Sequence, residues 1–237
     1  MSKHGKRYNS ATSLIDRESQ YTTDEAVVKV KATATSKFDE SIELHLRTSA
    51  DPRHADQQVR GVASLPNGNG KTVKITVFAQ GEGISLAQSA GADYIGDDDL
   101  IKKIEGGWAE FDVSIATPDM MGKVSKLGKV LGRKGLMPNP KTGTVVAADD
   151  IERAVNEARK GRVEFKLDKT SIIHVVVGKA SFEEHQLVEN ISSVVDHIVR
   201  ARPSGVKGQF VKSAFITSTM GPSVNMDVAG ISELTVE

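Results

Sequence analysis

The sequence predicts two folding units of different class: an α+β domain, an antiparallel sheet with helices built from both ends of the chain, and an α/β domain inserted between them. Three observations predict it. Between about residue 73 and residue 160, strand-like and helix-like segments alternate, as βαβ units do. The residues before Leu65 offer one helix and one strand, too little to bury a core alone. After Gly161 the pattern returns to alternating strands and one long helix, which complete that core. A chain of 237 residues suits two domains.

From Thr22 to Ser36, Ala26, Val27, Val30 and Ala34 recur at helical spacing, and Thr22 with Glu25 forms a capping box. Next, "SIELHLR" sets Ile42, Leu44 and Leu46 against Glu43, His45 and Arg47, the period of a strand with one packed face and one open to solvent or ligand. "LPNGNGK", Leu65 to Lys71, is turn chemistry and marks the first crossing between domains. Beyond it come the strand "VKITVFA", the helices "SLAQSAGA" and "DLIKKIEG", and the strand "FDVSIAT". A helix from Asp149 to Lys160 follows, with Ile151, Ala154, Val155 and Ala158 on one stripe, Asp149 and Asp150 as caps, and Gly161 as its stop. "RVEFKLD" and "IIHVVV" read as strands. Ser181 with Glu184 then reads as the cap of a helix bearing Leu187, Val188, Ile191, Val194, Val195 and Ile198, which Arg200, Arg202 and Pro203 end. "FVKSAFIT" is the last strand. Joined to "SIELHLR", these three strands give a four-stranded sheet. The expected boundaries are 1–67 with 160–237 for the terminal domain and 68–159 for the insertion.

Composition narrows the function. No apolar run approaches the ~18 residues of a membrane span, and "MSKHGKRYNS" has cations without an apolar stretch behind them, so a cytoplasmic protein with no secretory leader is expected. The absence of cysteine removes disulfides, thiolate catalysis and cysteine-bound zinc. Lys plus Arg equals Asp plus Glu at 31 each, so the total charge advertises no polyanionic partner. The distribution is uneven: Lys123, Lys126, Lys129, Arg133, Lys134 and Lys141 fall in one stretch, while Asp93, Asp97, Asp98 and Asp99 fall in another.

Catalytic and cofactor motifs are broken. "GKT" at Gly70 to Thr72 has Leu65 where a phosphate loop needs its first glycine, and it precedes a strand instead of following one. Gly81 and Gly83 begin a dinucleotide fingerprint that fails at Leu86, leaving an ordinary strand-to-helix turn. A nucleotide-dependent enzyme in the inserted domain is the competing reading, and titration with ATP and NAD tests it. The six histidines show no helical metal-ligand spacing, and His174 reads as a hydrogen-bonded core or sheet residue. The adjacent carboxylates Asp39 and Glu40 diverge in a strand and do not suit acid and base roles. No cofactor, metal or catalytic residue is expected.

Three segments suit nucleic acid instead. From Lys123 to Lys141, six cations are punctuated by Gly122, Gly128, Gly132, Gly135 and Gly143, which fits either a close approach to phosphates or a solvated basic loop. "TSTMGPS", Thr217 to Ser223, sets hydroxyls, a thioether and a glycine directly after a strand, suited to RNA backbone and 2′-hydroxyls or simply a loop. "SKFDES" places a cation, hydroxyls and Phe38 together, where the ring either stacks on a base or joins the core.

"KHGKRY" from Lys3, "KFDESIELHL" from Lys37, "GKVLGRKGLMPNPKTGTV" from Gly128, "EFKLDKT" from Glu164 and "TSTMGPS" together resemble the bacterial large-subunit ribosomal protein L-one family, in the family's order and across nearly the whole chain. The resemblance implies a terminal RNA-binding domain and a Rossmann-like insertion. It implies a non-enzymatic protein on the ribosome that binds the stalk region of 23S rRNA, contacts exit-site tRNA and other large-subunit components, and represses its own operon through its mRNA. Carried onto matching positions, the RNA surface comprises Lys37, Phe38, Ser41, Glu43, Ser213, Thr217, Thr219, Met220 and Gly221, with Lys166, Lys169 and Thr170 as further contacts. Lys123, Lys126, Lys129, Arg133, Lys134 and Lys141 form a secondary basic surface on the insertion. The tail after Ser223 departs from the family pattern and ends acidic.

Overall fold

The computed structural model describes residues 5–232, so Lys3 and His4 of "KHGKRY" and the last residues of the tail lie outside the described residues. Along the chain run α1 (Lys6–Thr12), α2 (Thr23–Thr33), β1 (Ser41–Thr48), β2 (Arg60–Ser64), β3 (Ile75–Phe78), α3 (Glu82–Ser89), β4 (Tyr94–Gly96), α4 (Asp98–Glu105), β5 (Val113–Ala116), α5 (Met121–Val124) and α6 (Gly128–Lys134). There follow α7 (Ile151–Arg159), β6 (Arg162–Lys166), β7 (Ile172–Lys179), α8 (Glu184–Arg200), β8 (Val211–Ser218), β9 (Val224–Met226) and α9 (Val228–Ser232). The chain forms two compact units: one ends at Gly70 and resumes at Arg162, and the other is Lys71–Gly161.

The first unit is built on an antiparallel sheet of order β7-β1-β8-β9. Ile42, Leu44 and Leu46 of β1 are buried in one core with Val27 and Val30 of α2 and with Leu187, Ile191, Val194 and Ile198 of α8. Thr22 and Glu25 make the expected capping box of α2, with the Glu25 amide donating to the Thr22 hydroxyl at 3.4 Å and the Thr22 amide to the Glu25 carboxylate at 3.1 Å. Asn190, fully buried on α8, donates its amide to the Gly68 and Val177 carbonyls at 3.0 and 2.8 Å and accepts the Asn67 amide at 3.1 Å. Without these bonds a buried amide would destabilise the core, so the Leu65–Gly70 turn is fixed to the long helix.

Several local expectations change. The strand Arg162–Lys166 is not in the main sheet; it pairs with β2 in a two-stranded ribbon, and the fourth place is taken by β9. Here the decisive contact is non-local: Gly61 lies opposite Phe165, and a Cβ on it would stand 2.6 Å from the ring. The N-cap of helix α8 is Glu183, which forms a capping box with Gln186, while Ser181 donates through both amide and hydroxyl to Asp39. Asp150 makes no side-chain cap for α7 and instead faces Arg153 at 3.3 Å. The Lys123–Lys141 stretch is largely helical, because Val124, Leu127 and Leu131 form a buried stripe at helical spacing.

The second unit is an α/β sandwich on a parallel sheet of order β4-β3-β5. On one face Phe78 packs with Leu100, Ile104, Leu127 and Leu131; on the other Ile75 and Val77 pack with Ala87, Ile151 and Val155. Covering helices on both faces of a central parallel sheet make this unit Rossmann-like. Gly81, at φ 57°, turns β3 into α3.

Candidate nucleic-acid interface

Because β1 alternates, burying Ile42, Leu44, Leu46 and Thr48 turns Ser41, Glu43, His45 and Arg47 to the other face of the sheet. Register sets Thr217 beside Glu43, Phe215 and His174 beside His45, and Ser213 beside Arg47. The helices α2 and α8 belong to the buried side, so this row of polar groups remains accessible.

At one end of the row, two loops distant in sequence are bonded together. The Thr219 amide donates to the Ser41 carbonyl at 3.0 Å, and the Thr219 hydroxyl accepts the Ser41 amide at 3.0 Å. Glu40 is buried; one carboxylate oxygen accepts the Ser36 amide at 2.8 Å and the other the Met220 amide at 2.9 Å. Burial alone would raise its pKa, but the bonds from Met220 and Ser36 outweigh it and hold the carboxyl below its usual range. Lys179 donates to the Ser41 hydroxyl at 2.8 Å. This frame presents Phe38, 55% exposed, and Met220, 51% exposed, to solvent. Phe38 is therefore outside the core. Gly221 is glycine for an internal reason, since a Cβ there would collide with the Ser218 hydroxyl.

In the middle, the Nδ1 atoms of His45 and His174 lie 2.8 Å apart, and the second nitrogen of His45 is 3.3 Å from the Thr217 hydroxyl. His174 is thus a sheet residue on the open face. At the far end, Asp168 accepts the Thr170 amide and hydroxyl at 2.8 and 2.6 Å and the Ile172 amide at 2.7 Å. Against the opposing effect of burial, those bonds and His174 hold the Asp168 carboxyl down at about 2. The turn they fix exposes Lys169 and Thr170 and holds Ser171 at φ 66°.

Structure therefore gathers Lys37, Phe38, Ser41, Glu43, Thr217, Thr219, Met220 and Gly221 at one end of the face, and Ser213, Lys169 and Thr170 at the other. Lys166 stands apart on the β2–β6 ribbon, opposite Arg60. Lys123, Lys126, Lys129, Arg133 and Lys134 belong to the inserted unit, where Lys123 is paired with Asp98 at 2.7 Å; the side chain of Lys141 lies outside the described residues. Sequence reasoning missed Glu40 as the tie between the loops. Its signal was present: Glu40 is in phase with Ile42, Leu44 and Leu46, an acid facing inward at the start of an apolar stripe.

The profile of the ribosomal protein L1p/L10e family matches residues 30–222. The chain belongs to this family. It is similar to the large ribosomal subunit protein uL1 of Dehalococcoides mccartyi, 56% identical over 234 residues that cover 99% of both chains. The protein of the same name from Thermomicrobium roseum is 54% identical, covering 97% of this chain and 95% of its own. That from Chloroflexus aggregans is 51% identical over 99% of both. Among the described residues of this L1p/L10e family chain, no helix is long and apolar enough to cross a membrane.

Proposed function

We propose that this L1p/L10e family chain is a non-enzymatic component of the large ribosomal subunit in the cytoplasm, and that its terminal domain binds the stalk region of 23S rRNA. The observation that carries the reading is the open sheet face, where Glu40 locks the Phe38 and Met220 loops side by side. Two exposed apolar side chains on a rigid frame suit unstacked bases, and the row of hydroxyls, amides and cations beside them suits sugar and phosphate. Recognition rests on the shape of folded RNA, so a chain of zero net charge binds with few counterions released. In the same reading the inserted domain offers its basic helical surface to exit-site tRNA and assists its release. The terminal face also binds a matching fold in the operon mRNA and represses translation.

The test is calorimetric titration of the full chain with a stalk-region rRNA fragment and with a scrambled hairpin of equal length, each at two salt concentrations. Tight binding to the stalk fragment alone that survives the higher salt is expected. Equal, salt-sensitive binding to both RNAs would reduce the interface to a non-specific basic surface.

A further inference from the structure

Beyond the expected contacts, the far end of the sheet face opens into a cavity of about 340 Å³ whose rim carries four cations, Arg47, Arg53, Lys169 and Lys212. Three departures from regular backbone bring them together. The register of β1 against β8 shifts between Arg47 and Thr48, which pair with Ser213 and Val211, so Lys212 is an extra, bulged residue, and it is exposed. Ser171, at φ 66°, closes the turn that carries Lys169, and its carbonyl accepts the Thr48 amide at 2.8 Å, fixing that turn to the end of β1. Asp51 accepts the Arg53 amide at 2.9 Å and so folds the loop after β1 back toward the rim.

Charge in the cavity is unbalanced. All four cationic residues are exposed, and none of their side chains has an ion pair among the described residues. Of the two carboxylates nearby, Asp51 lines the cavity itself and accepts the Arg53 amide, while Asp168 accepts the Thr170 and Ile172 amides, so four cations stand against one lining carboxylate. Four like charges around one concavity repel each other, and an anion seated among them relieves that repulsion. Ser49 and Thr170 line the same wall, but their hydroxyls already donate, Ser49 to the Phe210 carbonyl at 3.4 Å and Thr170 to Asp168 at 2.6 Å, so the cations are the groups that would hold an anion.

We infer that this cavity is a second anchor that takes a backbone phosphodiester of the bound RNA, gripped by Arg47, Arg53, Lys169 and Lys212 at the end of the sheet opposite Phe38 and Met220. The inference rests on the RNA-binding reading above and extends it. It makes the interface bipolar: shape and stacking act at one end, and charge acts at the other. Mono-sited recognition at the Thr217–Gly221 loop would leave the RNA free to pivot; an ionic grip at the far end fixes its direction across the sheet.

The experiment measures affinity and its salt dependence for the stalk-region rRNA fragment with the full-length chain, the double variant Arg53→Gln/Lys212→Gln, the variant Thr219→Val and the control Lys102→Gln/Lys160→Gln, each checked for folding by circular dichroism. The double variant should bind about tenfold more weakly, with the slope of log affinity against log salt reduced by about 2, one per charge removed. Thr219→Val should lower affinity while keeping the wild-type slope. If the wild type does not bind the fragment, the RNA-binding reading itself fails. If the wild type binds and Thr219→Val weakens it, but the double variant keeps wild-type affinity and slope, the second anchor alone is overturned. Equal losses in the double variant and the control would also overturn it, as a general charge effect. A parallel titration with inorganic phosphate separates the sources: saturable binding lost in the double variant without any change in RNA affinity assigns the cavity to a free anion and overturns the RNA assignment.

Discussion

Glu40 and Met220 stand 180 residues apart in sequence, and the buried carboxylate of the first accepts the backbone amide of the second at 2.9 Å. Its other oxygen holds Ser36, so one side chain sets the spacing of both loops at the candidate interface. Glu40→Gln replaces one acceptor oxygen with an amide group that cannot accept, leaving a backbone amide unsatisfied. We expect a loss of about 1–3 kcal/mol in urea unfolding together with weaker RNA binding. Wild-type stability in this variant would show that the carboxylate does not hold the loops.

Phe38 and Met220 separate binding from folding. Both are more than half exposed, so Phe38→Ala and Met220→Ala should leave stability within about 0.5 kcal/mol of wild type. Loss of the Phe38 ring, an aromatic stacking platform, should weaken binding of the stalk-region rRNA fragment by about 1–3 kcal/mol, and loss of the Met220 side chain, which offers only an apolar contact, should weaken it less. Calorimetric affinity beside thermal melting reads the two effects apart, and unchanged affinity in both variants would remove the stacking role.

Gly61→Ala should do the reverse. Its Cβ would meet the Phe165 ring at 2.6 Å, inside a pair where the ring is buried. Either the ring or the β2–β6 ribbon must shift, for about 1–3 kcal/mol of stability. RNA affinity measured well below the melting point should stay near wild type, since Gly61 is not on the open sheet face.

The histidine pair predicts a pH dependence. Burial, and then the neighbouring His174, hold His45 below its usual range, against an opposing pull from Glu43 at 3.9 Å. On the surrounding groups, Asp168 lies 3.5 Å from His174, while Arg47 follows on β1. A ring pair bonded at 2.8 Å needs one nitrogen to donate and the other to accept, so a doubly protonated pair loses the bond. The folded state therefore disfavours the proton on His45. Its contribution is complete above the unfolded value of about 6.5 and is lost as the pH falls through the lower folded value. The urea midpoint of the wild type should drop more between about pH 7.5 and about pH 5.5 than that of His45→Gln. Parallel curves would mean that His45 carries no such linkage.

Periodicity alone revealed the β1 alternation, the α7 and α8 stripes and the change of class near Leu65 and Gly161, because burial of one face imposes a repeat on each segment. Short or irregular elements left no such trace. β4 and β9 have three residues each, β2 lacks regular alternation, and the basic segment hid a helical stripe among glycines.

The candidate site divides in the same way. Which side chains of β1 face outward follows from the sequence, since an alternating strand with one apolar set has only one stable orientation. The tie from Glu40 to Met220, the pairing of His45 with His174 and the gathering of Arg47, Arg53, Lys169 and Lys212 were decided by tertiary structure. Each joins segments far apart along the chain, and such contacts depend on strand register and bulges that no local repeat encodes.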